Sequence, residues 1–173
     1  ADRLELSLDL FEALARDPEL KGWDGLGLVV QAYGKRAAAV IDWIATLAED
    51  ADRRFMVRLV KGAYWDGEIK HAQVGGHDKF PVFTTKSETD QNFALCAAKL
   101  LGLRDRIYPQ FATHNARTTA EVLELADGDL TGFEFQRLHG MGDALHEILR
   151  KDTDVPCRIY APVGIHRDLL AYL

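Results

Sequence analysis

The sequence predicts an α/β protein of the TIM-type (β/α)8 barrel class, of which its 173 residues supply about six strand–helix units. Three observations carry that expectation. Short apolar runs recur at 28–33, 55–60, 81–84, 106–111, 133–138 and 158–163, with starts 27, 26, 25, 27 and 25 residues apart. Between them lie amphipathic stretches long enough to cross over and return a parallel strand. A doubly wound dinucleotide fold would carry a glycine fingerprint after its first strand. Here Gly22, Gly25 and Gly27 precede it, and no GxxxxGK occurs.

In chain order, residues 4–14 read as an amphipathic helix, so the chain opens in the middle of a unit. The run 28–33 is the first strand. Ala37, Val40, Ile41, Ile44, Leu47 and Ala48 follow at spacings of three and four, which is a helix with one apolar face. The run 55–60 is β-branched and apolar, a buried strand, and 81–84 reads as the next. Ser87-Glu88-Thr89-Asp90 resembles a capping box opening a helix that carries Phe93, Ala94, Ala97, Ala98 and Leu101. Asn115 can cap a helix carrying Thr119, Val122, Leu123 and Leu125. A closed barrel needs eight strands, so the expectation is a partial barrel domain over residues 1–173.

With 47% hydrophobic and 28% charged residues, the composition is that of a globular domain. Net charge is −6 and the basic residues are scattered, which argues against nucleic-acid binding by this segment. No apolar run approaches the roughly 20 residues that span a bilayer, and no leader is visible, so a cytoplasmic protein is expected. Cys96 and Cys157 lack metal spacing and read as structural thiols in a reducing compartment. There is no HExxH, CxxC or carboxylate-rich loop, so no metal is expected. Ser7 and Ser87 lie outside any nucleophile elbow, which removes serine-based acyl transfer.

The chemistry-bearing residues gather at strand ends, where barrel enzymes keep their sites. In order these are Gln31 and Tyr33; Arg58, Lys61, Tyr64 and Trp65; Thr84, Thr85 and Lys86; Thr113, His114 and Asn115; Gln136, Leu138 and His139; and Tyr160. Arg58 lies inside an apolar strand and must meet a carboxylate, an anion or an electron-rich ring. Lys61 is a Schiff-base nucleophile, a phosphate ligand or the partner of an acid. His114 and Asn115 either bind phosphate at a helix start or form a capping pair. Cationic and aromatic residues with few acids suit an anionic, planar ligand.

VQAYGKR at 30–36, RLVKGAYWD at 58–66, YPQFATHN at 108–115, FEFQRLHGMG at 133–142 and RIYAPVG at 158–164 together resemble the proline dehydrogenase family, in the form of the barrel of bacterial proline utilization A. The resemblance runs the length of the chain. It implies barrel strands three to eight, and a non-covalent FAD that takes a hydride from proline C5 to give pyrroline-5-carboxylate. It further implies a membrane quinone as electron acceptor, peripheral membrane association during turnover, and a pyrroline-5-carboxylate dehydrogenase domain in the same parent chain. Carried over by position, Arg58 and Gln31 lie against the flavin ring, with Val60, Gly62 and Trp65 lining it and Lys61 among the cofactor residues. Thr84, Lys86, Thr113, His114, Asn115 and Gln136 hold the rest of FAD. Tyr64, Leu138, Tyr160 and Tyr172 shape the proline pocket, with Arg58 and Tyr64 as the catalytic pair. The family's arginine pair for the substrate carboxylate and its flavin-contacting glutamate belong beyond Leu173, and a pocket lysine and aspartate before Ala1.

Overall fold

The computed structural model describes residues 3–164. It opens with helix α1 (Leu4–Ala15) and a short 3-10 turn (Pro18–Leu20). Strand β1 (Gly27–Gln31), helix α2 (Ala37–Asp50), strand β2 (Phe55–Val60) and helices α3 (Trp65–Val74) and α4 (Lys86–Gly102) follow. The second half is β3 (Ile107–Ala112), α5 (Ala116–Leu125), β4 (Glu134–Leu138), α6 (Asp143–Asp152) and β5 (Cys157–Tyr160). The sheet is parallel throughout in the order β1-β2-β3-β4-β5. Each strand thus adds beside its predecessor, as barrel strands do; among the described residues the sheet does not close on itself.

Among the described residues five strands form, where the apolar runs predict six. The segment 81–84 is no strand of this sheet. Val82 makes a single antiparallel bridge with Gly34, the Pro81 carbonyl accepts from Lys35 N at 3.1 Å, and Phe83 N donates to the Tyr33 carbonyl at 2.8 Å. Pro81 has no N–H to give a ladder, and the segment instead clasps the loop after β1. The β2–β3 crossover accordingly carries two helices.

The helices form where apolar spacing places them. All six of the apolar positions read in α2 are buried, and they pack with Phe11, Phe55, Val57 and Leu59 into the main core. Helix α4 begins two residues earlier than its apparent signal. Its cap is Thr85, whose hydroxyl accepts from Glu88 N at 3.3 Å while Glu88 reaches back to Thr85 N at 3.2 Å, a capping box displaced from the one read at Ser87. Its buried face is Phe93, Cys96, Ala97, Leu100 and Leu101, leaving Ala98 exposed. Asn115 caps α5 as the sequence indicates, its Oδ1 accepting from Thr118 N at 3.0 Å.

Side chains on β2 alternate between faces. Phe55, Val57 and Leu59 are wholly buried toward the helices, while Met56, Arg58 and Val60 are half-buried on the opposite face. Register continues that second face across the sheet: Val29 stands beside Arg58, Arg58 beside Gln110, Gln110 beside Glu134, Gln136 beside Arg158 and Leu138 beside Tyr160. One face is therefore core, and the other presents polar groups.

Candidate functional site

At the centre of the polar face, Arg58 Nε donates to Gln136 Oε1 at 2.8 Å, and the guanidinium carbon lies 4.9 Å from the centroid of the Tyr160 ring. Among the described residues this arginine meets an amide oxygen and an electron-rich ring, not a carboxylate. Its charge is oriented but not neutralised.

Behind it sits Glu134, only 3% exposed. Its Oε1 accepts from Gln110 Nε2 (2.9 Å), Gln136 Nε2 (2.8 Å) and Arg158 Nε (2.7 Å), and its Oε2 from Arg158 Nη2 (3.0 Å). Burial pushes the carboxyl pKa up, and the hydrogen bonds from Arg158, Gln136 and Gln110 together with the arginine's charge more than offset it, holding the group below the usual glutamate range. Glu134, Gln110 and Arg158 were not singled out in the sequence, although a charge between Phe133 and Phe135 is the same signal that marks Arg58.

The strand ends form a rim around this centre. Gly62 has φ +134°, and a Cβ there would stand 2.4 Å from the Tyr33 ring, so only glycine lets the chain pass. Gln31 Oε1 accepts from Ala63 N at 3.1 Å, and the Tyr33 hydroxyl donates to the Ala63 carbonyl at the same distance. Trp65 Nε1 donates to the Phe83 carbonyl at 2.7 Å, tying α3 to the 81–84 segment. Tyr64, in the left-handed region at φ 58°, precedes α3 with 79% of its surface exposed.

Lys61, Gly62, Trp65, Thr84 and Lys86 share one cleft of about 340 Å³ with Tyr33 and Asp90. Lys61 and Lys86 each reach an oxygen of Asp90 at 2.5 Å. Hydrogen bonds from Lys61 and then Lys86 hold the Asp90 carboxyl below its usual range. The Lys61 amine is thus engaged by a carboxylate, which matches the acid-partner reading rather than the Schiff-base one. An adjoining polar cleft of about 210 Å³ brings Lys61, Lys86, Asn115 and Arg117 together with Asp90 and Glu121.

His114 and Asn115 part ways. Asn115 caps α5, whereas His114 Nε2 accepts from Leu138 N at 2.9 Å. Burial, followed by the charges of His146, Arg137 and Arg58, holds the His114 pKa below the ordinary value. Buried His146 has Nε2 3.2 Å from the Thr113 carbonyl and Nδ1 3.4 Å from Cys157 Sγ. Since a carbonyl only accepts, Nε2 carries the proton. Thr113 Oγ1 accepts from Asn115 N at 3.1 Å.

The structure thus joins Arg58, Gln136 and Tyr160 by direct contact, links His114 to Leu138, and sets Lys61, Gly62, Trp65, Thr84 and Lys86 in one cleft. Val60 lies on the polar face beyond Arg58, and Tyr172 lies outside the described residues. A larger apolar cavity of about 620 Å³ lies between α1 and β1 and shares Gln31 and Tyr33 with the rim.

A family profile described as "Proline dehydrogenase" matches residues 1–173. The bifunctional protein PutA of Klebsiella aerogenes is 55% identical over 180 residues, covering 100% of this chain and 14% of that protein. A crystal structure of bifunctional proline utilization A superposes with TM-score 0.94 at 66% identity, over 99% of this chain and 17% of that one. Proline utilization A from Bdellovibrio bacteriovorus, inactivated by N-propargylglycine, superposes with TM-score 0.91 at 37% identity, over 98% and 18%. The chain therefore spans about a seventh of the length of the curated relatives it matches.

Proposed function

Since the chain belongs to the proline dehydrogenase family, we propose that its parent protein oxidises L-proline to pyrroline-5-carboxylate on a non-covalent FAD and delivers the electrons to a membrane quinone. The observation that carries this reading is Arg58, a cation on the open face of the sheet, aimed by Gln136 and Tyr160 and left without a carboxylate partner among the described residues.

The donor set fits a flavin dinucleotide. A cation stands where a ring that gains negative charge would lie, and glycine at position 62 leaves backbone bare at the strand end. Lys61, Lys86 and Arg117 supply positive charge on the rim for a diphosphate. When bound, FAD supplies a two-electron acceptor: proline C5 gives up a hydride and its nitrogen a proton, which leaves a carbon–nitrogen double bond.

This chain's own residues orient and enclose. Arg58 presents charge to the ring with Gln31 beside the loop that follows, and Val60, Gly62 and Trp65 form the wall. Thr84, Thr113, His114, Asn115 and Gln136 complete the cofactor side. Tyr64, Leu138 and Tyr160, with Tyr172, enclose the apolar ring of proline. The catalytic pair is Arg58 and Tyr64.

The parent is read as cytoplasmic and peripherally membrane-associated during turnover, with a pyrroline-5-carboxylate dehydrogenase domain in the same chain. Relatives described as bifunctional, and much longer than this segment, support that reading; no helix among the described residues is long and apolar enough to cross a membrane. The test is a spectrum of the full-length protein before and after anaerobic addition of proline. A yellow protein whose flavin absorbance bleaches with proline is expected. A colourless protein, or a flavin band that proline leaves unchanged, refutes the reading.

A further inference from the structure

An acid in the middle of a strand, flanked by Phe133 and Phe135, is costly unless its charge is met on every side. Glu134 accepts hydrogen bonds from Gln110, Gln136 and Arg158, with the Tyr108 side chain also against it, and the arrangement does more than satisfy it. A carboxylate only accepts hydrogen bonds and a guanidinium only donates them, so an amide between the two must turn its NH2 to the acid and its oxygen to the arginine. Gln136 stands in that position, with Nε2 2.8 Å from Glu134 Oε1 and Oε1 2.8 Å from Arg58 Nε. A flipped amide would set acceptor against acceptor and donor against donor. The orientation of Gln136 is therefore imposed by Glu134, and that of Arg58 by Gln136 and the Tyr160 ring.

The charges are arranged to the same end. Arg158 grips Glu134 through two nitrogens, at 2.7 and 3.0 Å, and neutralises it within the sheet. The carboxylate can then hold the relay without cancelling the charge of Arg58.

We propose that Glu134 is a positioning residue for proline oxidation: acting through Gln136, it fixes the Arg58 guanidinium in the orientation that presents its charge to the flavin. This rests on the role proposed above for Arg58. The substitution Glu134→Gln keeps the shape but removes the charge and puts an NH2 where one acceptor oxygen faced the donors, weakening the hold on the Gln136 NH2 and with it the bar to its flipping.

The test is a double-mutant cycle in the full-length holoenzyme with E134Q, R58M and both, reading anaerobic flavin reduction by proline and the flavin midpoint potential. E134Q is expected to slow reduction about 10-fold and make the potential more negative, with FAD stoichiometry unchanged. In the R58M background the same change should cost less than about 2-fold, because nothing remains to be positioned. A crystal structure of E134Q stripped of flavin should show the Gln136 oxygen no longer on Arg58 Nε. A merely structural acid would lower thermal stability equally in both backgrounds and leave the potential alone. Should E134Q fail to fold, Gln136→Met enters the same cycle, cutting the relay while Glu134 keeps Gln110 and Arg158. Parental rate and potential in the E134Q or Q136M variant, or full additivity with R58M, overturns the proposal. If R58M itself behaves as the parent, the flavin role of Arg58 fails first and takes this inference with it.

Discussion

Gly62→Ala tests whether the end of β2 is built to admit only bare backbone. The new Cβ would stand 2.4, 2.5 and 2.7 Å from Tyr33 Cδ2, Cγ and Cε2, where an ordinary carbon contact needs about 3.5–4.0 Å. Tyr33 has little room to retreat. It is 7% exposed, its hydroxyl donates to the Ala63 carbonyl at 3.1 Å, and its backbone N donates to the Lys61 carbonyl at 2.7 Å. A φ of +134° adds strain of about 1–3 kcal/mol for any residue with a side chain. Overpacking adds about 1–3 kcal/mol more. The sum of about 2–6 kcal/mol corresponds to a fall in Tm of roughly 5–20 °C for a domain of 150–250 residues. Calorimetry of the full-length protein, with flavin content measured alongside, is the assay. Because Tyr64 and Trp65 ride on the displaced loop, FAD occupancy should fall with stability. Removing the ring isolates the steric part: in a Tyr33→Ala background, Gly62→Ala should cost only the backbone strain, about 1–3 kcal/mol. A G62A protein that melts with the parent and carries its full flavin refutes the reasoning.

Tyr64→Phe keeps the ring and removes the hydroxyl proposed to face proline, so the proline KM should rise roughly 2- to 13-fold, the equivalent of about 0.5–1.5 kcal/mol, with flavin content unchanged; an unchanged KM with loss of FAD would make Tyr64 a cofactor residue instead. Stability should fall on acidification below about pH 6.5, the unfolded histidine value, because burial first and neighbouring cations next hold His114 below it, and burial, only partly offset by the hydrogen bond to the Thr113 carbonyl, holds His146 below it, so that the unfolded chain binds protons the native one refuses. The loss continues until the folded pKa values are passed. His146→Gln should flatten the dependence of Tm between pH 7.5 and 5.5 relative to the parent, and an unaltered slope would exclude His146 as a source.

The helices were legible because a 3.6-residue period marks one face regardless of what covers it: every apolar position read in α2 is buried. The 81–84 segment misled because a short apolar run says nothing about where its backbone hydrogen bonds go, and here they go to residues 33 to 35, antiparallel. Its spacing matched the repeat only because the β2–β3 crossover holds two helices. At the site, Arg58 was legible as a charge within an apolar strand. Glu134 carries the same mark, yet its meaning lies in register, since Gln110 stands beside it on the neighbouring strand and Arg158 lies across the ladder from Gln136. Adjacent His114 and Asn115 looked like one functional pair, but neighbours in sequence point apart, one to a helix start and the other to the Leu138 amide.

The position of the polar face follows from alternation and exposes a tension in the fold. Parallel strands are commonly buried on both faces and read as continuous apolar runs. Strand β2 departs from that at one residue in six, Arg58, and β4 at Glu134, Gln136 and Arg137. Arg58, Glu134 and Gln136 fall on the face away from the helices, so the core of Phe55, Val57, Leu59, Phe111 and Phe135 loses nothing, while Arg137, near the end of β4 on the other face, is met by Asp143 of α6. A shift of register by one residue would drive Arg58, Gln110 and Glu134 together into the helix layer and turn five large apolar side chains outward. The polar network and the core therefore specify the same register from opposite faces. The charges that serve the site penalise every alternative pairing, and the cost of burying Glu134 is recovered only in the one register that supplies Gln110, Gln136 and Arg158 as its donors.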